Sequence, residues 1–191
     1  MHVAADSARR DAALRIRLGP CAEARWPHLR YIARVPPCFD VYVWIQGHDR
    51  AGALSRFINR YVDVQDPGDP RFDAFVRTLV DQAPRQGDHE ALLELRRDPA
   101  ADSAFSLYLH ARHHHEAIIT VTEEGAVVLG IGLDDPDNSP DVWQRGATLL
   151  TSLRAEFAAL GGIGGVELAP PHSAAEWADD ALVQVRQGLA S

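Results

Sequence analysis

The sequence predicts an α+β protein: one mixed or mainly antiparallel sheet of five or six strands, with four or five helices packed on it. Three observations predict this class. Strand patterns cluster and helix patterns cluster, instead of alternating one for one as parallel βαβ units require. Residues 105–133 read as consecutive strands joined by short connections, a meander suited to antiparallel pairing. The composition, 46% hydrophobic and 24% charged over 191 residues, is that of an ordinary folded chain. A chain of this length can bury about 70% of its unfolded surface without disulfides or metal. A single domain over 1–191 is expected, with residues 1–12 as a candidate disordered tail.

The elements follow in order. At 13–18, Leu14, Ile16 and Leu18 alternate with arginines, a strand period. Trp26-Pro27 and Pro36-Pro37 then interrupt any long element. The clearest strand is 39–46, with Phe39, Val41, Val43 and Ile45 on one face and Asp40, Tyr42, Trp44 and Gln46 on the other. Asp49 suits an N-cap for a helix over 50–62, whose stripe is Ala51, Leu54, Phe57, Ile58 and Tyr61. The turn Asp66-Pro67-Gly68-Asp69-Pro70 starts a second helix with Phe72, Phe75, Val76, Leu79 and Val80 inward. Asp88 can cap a short third helix carrying Leu92, Leu93 and Leu95.

Strand character returns at 105–111, with Phe105, Leu107 and Leu109 opposed to Tyr108 and His110. Strands 117–122 and 126–133 are joined by Glu123-Glu124-Gly125, a short hairpin loop. Ser139-Pro140 opens a long helix to about Leu160, with Val142, Trp143, Ala147, Leu150, Leu153 and Phe157 as its stripe. The glycines from Gly161 to Gly165 read as turn chemistry, followed by a last short strand over 163–168. Ser173 and Glu176 make a capping box for a final helix that turns Trp177, Ala181, Val185 and Leu189 inward.

Composition excludes several activities. All 19 basic residues are arginines. Without a lysine amine no Schiff base forms, which excludes pyridoxal-phosphate enzymes and class I aldolases. The Walker phosphate loop and the protein-kinase signature also need lysine. No G-x-S-x-G elbow or dinucleotide glycine fingerprint is present, and no cofactor is expected. The net charge of −8 disfavours nucleic acid, which demands a basic surface, and favours a basic protein partner. The longest apolar run, 126–133, is far below the ~20 residues of a membrane span. The start of the chain carries no apolar signal region, and Cys21 and Cys38 read as two reduced thiols of a cytoplasmic, bacterial protein.

Four places carry candidate chemistry. Imidazoles and a carboxylate at 110–116 suit a transition metal, with His113, His115 and Glu116 as the alternative ligand set, although a solvated polar loop is the preferred reading. The acidic stretch around Asp134, Asp135 and Asp137 fails as a calcium loop, because Pro140 and Gly146 stand where a glycine and a glutamate are needed. Asp and Ser there also suit a helix cap. The glycine-rich turns lack the following helix that a phosphate site requires. Finally, if 39–46 and 105–111 share a sheet, Tyr42, Trp44, Tyr108 and His110 meet on its second face, with Gly130 and Gly132 leaving room beside them.

The expected function is a non-enzymatic intracellular protein-binding module, an inhibitor or immunity-type protein that blocks a basic partner through acidic loops at 123–124 and 134–141, the latter holding Asp134, Asp135 and Asp137. One alternative is a small-molecule-binding domain or enzyme, with Tyr42, Trp44 and Tyr108 as walls and His110 as acid or base. The other is a metal-binding protein built on His113, His115 and Glu116.

Overall fold

The computed structural model describes residues 37–47, 49–96, 103–135, 139–179 and 181–188. The candidate strand at 13–18, the tail at 1–12, Cys21 and Asp137 lie outside them. The described residues form one antiparallel sheet of six strands with five helices, an α+β fold. Strand β1 (Cys38–Ile45) is central and pairs with β4 (Val127–Asp134) on one side and β5 (Gly161–Val166) on the other. Beyond β4 lie β3 (Glu116–Val121) and the edge strand β2 (Phe105–His110). Strand β6 (Val185–Gly188) forms the opposite edge, against β5.

The alternation read in 39–46 decides the layering. Phe39, Val41, Val43 and Ile45 face a large core with the odd-numbered residues of β4. Helices α1 (Arg50–Tyr61) and α4 (Pro140–Phe157) close that core with Leu54, Phe57, Leu150, Leu153 and Phe157. Helix α2 (Phe72–Phe75) runs on through a π-type turn at Val76–Val80, and α3 (Asp88–Leu93) follows. The second face carries a smaller core of Tyr42, Trp44, Ile118, Val128, Ile163, Leu168 and Trp177. Trp177 comes from the short helix α5 (Ala174–Ala178) and meets Trp44 edge-on with ring centres 5.3 Å apart.

Three expectations need correction. The expected final helix ends at Ala178, and residues 185–188 are strand instead. Without them β5 would leave N–H and C=O groups unpaired on that side, and Gln184 N–H donates to Gly164 O at 2.8 Å where the new strand begins. The glycine run is likewise a strand, not a turn. A Cβ at Gly162 would lie 2.6 Å from Leu150 Cδ1, so the bare backbone lets α4 pack against the sheet. Trp143, placed on the inner stripe of α4, is 45% exposed, and Gly146 sits inside with Phe39 against it.

Candidate functional site

At one end of the sheet the start of β1, the end of β4, the entry to β3 and the residue after β5 come together. Cys38 is the register partner of Asp134. Asp40 stands opposite Gly132 on one side and Gly165 on the other, and Gly132 in turn pairs with Glu116. The glycines make room for the aspartate: a Cβ at Gly132 would lie 3.2 Å from Asp40 Oδ1. Glu167 takes a left-handed φ of 51°, unusual for a side chain with a Cβ. Its N–H donates to Cys38 O at 2.9 Å, and its carboxylate accepts from Cys38 N–H at 2.8 Å. His115 N–H donates to Gly132 O at 3.1 Å, and its Nδ1 stands 2.8 Å from Asp134 Oδ1. One ligand atom each from Cys38, His115 and Asp134 lies within 4.8 Å of the others, the one such group among the described residues.

Electrostatically the place is negative. Burial, then the neighbouring Glu167, pushes Asp40 up to about 7, with Glu116 adding to this against a bond from the Leu168 backbone. Burial raises Glu116 too, opposed by His115 and His110. Burial and then the carboxylates of Asp40, Glu167, Asp134 and Glu116 push the Cys38 thiol up to about 11. Asp40 is 8% exposed, whereas Asp134 and Glu167 reach solvent. Buried and exposed carboxylates in one cluster favour a cation, whether a metal ion or the positive group of another molecule.

The expected sites are only partly assembled. Tyr42 and Trp44 do share the second face with Tyr108 and His110, but strands β3 and β4 separate the two pairs. Trp44 lines a cavity of about 360 Å³ with Gln46, Glu124, Leu160 and Trp177, without Tyr108 or His110. Tyr42 is buried, and its hydroxyl donates to Leu168 O at 2.8 Å. The room expected above Gly130 is filled by the Tyr42 ring itself. Tyr108 is 46% exposed. The His110 side chain is 62% exposed, with its Nδ1 3.0 Å from Asp66 O.

The expected metal set does not converge either. His115 turns to Asp134 and Cys38, Glu116 enters β3, and the exposed His113 is not in the group of ligand atoms that gathers around His115. Asp135 is 2% exposed and accepts from Ser139 N–H at 2.7 Å at the start of α4. Asp134 does reach solvent. Sequence reading missed Cys38, Asp40 and Glu167 as site residues. One signal was present: an aspartate inside a strand of aromatic and β-branched residues runs against strand preference.

The fold and the site thus define an α+β protein with a cluster of carboxylates at one end of its sheet. Comparison with known protein families, curated proteins and solved structures gives no match.

Proposed function

We propose that this protein is a non-enzymatic binding module, of the inhibitor or immunity type, whose acidic sheet end takes up a basic surface of a partner protein. The observation that carries this reading is the convergence of Asp40, Glu116, Asp134 and Glu167 at one end of the sheet. Carboxylates that repel one another are relieved by an arriving guanidinium or ammonium group, and the overall charge of −8 speeds the encounter with a basic partner. The small-molecule alternative has less support, because His110 stands in solvent and away from Trp44 and Tyr42.

The test is a pull-down from extract of the producing cells, with wild type and with Glu116→Gln/Glu167→Gln. A basic protein should be held at about 50 mM salt and released at several-fold higher ionic strength, where screening shortens to a few ångströms. The double variant should fold normally by circular dichroism and fail to hold it. A partner retained equally by the double variant, or no basic protein retained by wild type, overturns the proposal.

A further inference from the structure

We propose that Cys38, His115 and Asp134 form a binding site for one transition-metal dication of the zinc class. This goes beyond the partner reading and stands whether or not a partner exists. A thiolate, an imidazole and a carboxylate are the ligand types that zinc accepts, while magnesium and calcium call for oxygen donors alone. Tetrahedral bonds of about 2.0–2.3 Å put neighbouring donors about 3.3–3.7 Å apart. The ligand atoms lie within 4.8 Å of one another, and His115 Nδ1 stands 2.8 Å from Asp134 Oδ1, so shifts of about 1 Å, with that one contact opening as the metal replaces it, complete the shell.

The mounting of the trio favours this. Cys38 and Asp134 are paired residues of adjacent strands, and His115 is pinned to Gly132 by its N–H. Glu167 clamps Cys38 through both its N–H and its carbonyl. Ligands fixed by strand pairing and by outer hydrogen bonds lose little freedom on binding. On binding, the metal displaces the Cys38 thiol proton to solvent, and the dication then balances the thiolate and Asp134, with the carboxylates of Asp40, Glu116 and Glu167 nearby. Three protein donors leave a fourth position for water or a further group.

The test uses the full chain without a polyhistidine tag, purified on no metal resin and stripped with a chelator. Zinc is titrated against a chromophoric chelator, and cobalt(II) serves as a spectroscopic probe. One zinc per chain is expected, with a thiolate-to-cobalt charge-transfer band that excess magnesium does not remove. Cys38→Ser should abolish the band, and Cys38→Ser and His115→Ala should each weaken zinc binding by more than about a hundredfold, beyond the cost of losing an outer partner. Cys21→Ser and His113→Ala/His114→Ala should leave stoichiometry, band and affinity unchanged. Asp134→Asn, which keeps shape and removes charge, should weaken zinc while the fold stays intact by circular dichroism. Less than one zinc per chain, a band that survives Cys38→Ser, unchanged affinity in His115→Ala, or loss of binding in the Cys21 or His113/His114 variants overturns the site. All of this is read on the isolated protein, so its failure is distinct from failure to find a partner.

Discussion

Gly130 and Tyr42 show how one residue's missing side chain is another's resting place. The ring of Tyr42 lies against Gly130 across the strand pair, and its hydroxyl is tied to Leu168 O at 2.8 Å. A methyl at position 130 would meet a ring that its own hydrogen bond holds in place. Gly130→Ala is therefore expected to cost about 1–3 kcal/mol through overpacking. Tyr42→Phe, which loses the hydrogen bond and keeps the ring, should cost about 1 kcal/mol. Urea denaturation midpoints of the two variants decide this; a larger loss in Tyr42→Phe would mean that the tether matters more than the packing. The pair also explains a misreading. Gly130 viewed along one strand looks like open floor, because sequence does not reveal which neighbouring strand supplies the filler.

Among the elements, α5 is one that cannot stand alone. At five residues it is far too short to persist by itself, so its contacts must hold it. Ser173 Oγ accepts from Glu176 N–H at 3.2 Å, the Glu176 carboxylate accepts from His172 N–H at 2.8 Å, and Glu124 accepts from Ala174 N–H at 2.9 Å. Behind these, His172 Nε2 lies 2.8 Å from Ser106 Oγ, which is 2.7 Å from Thr120 Oγ1. Trp177, fully buried against Trp44, is the apolar anchor. Trp177→Ala should cost about 3–5 kcal/mol and strip hydrogen-exchange protection from residues 172–178 before the rest of the sheet. Equal protection in variant and wild type would show that the polar ties suffice.

On the opposite face, Asp88 joins α3 to the π-type turn. It accepts from Arg77 Nε and Nη2 at 2.9 and 2.6 Å and from Arg85 N–H at 2.7 Å, which holds its carboxyl down at about 2. A carboxyl depressed in the folded state stabilises the fold above its unfolded value and loses that contribution as pH falls through the folded one. Stability should thus decline between about pH 4 and pH 2. Asp88→Asn should flatten the pH profile in that window, as read by denaturation at fixed pH steps.

At the scale of the whole molecule, periodicity made legible what is local. The strand alternation at 39–46 and most of the stripes of α1 and α4 appear as the sequence predicts, Trp143 apart, because a face toward a core leaves a repeat in the chain. Strand order left no such trace. The site was half legible for the same reason: His115, Glu116 and Asp134 stood out as local clusters, whereas Cys38 and Glu167 are 129 residues apart and meet only through the pairing of β1 and β5. The C-terminal misreading belongs here too, since Ala181 and Val185 fit a helical spacing while the open edge of β5 decided their state. That edge gives a test. Beyond the pairing of β6, Gln187 Nε2 reaches Ala147 O and Thr151 Oγ1 on α4 at 3.3 and 3.0 Å, so the strand also ties helix to sheet. Removing residues 181–191 leaves a glycine-rich strand with its outer backbone groups unpaired, the kind of edge on which chains associate. The truncated protein should melt at lower temperature and form larger species as concentration rises, by thermal scanning and light scattering. If its size in solution and its Tm are unchanged, β6 is an ornament on a sheet that is complete without it, and the edge of β5 is protected by its glycines' lack of side chains to zip together.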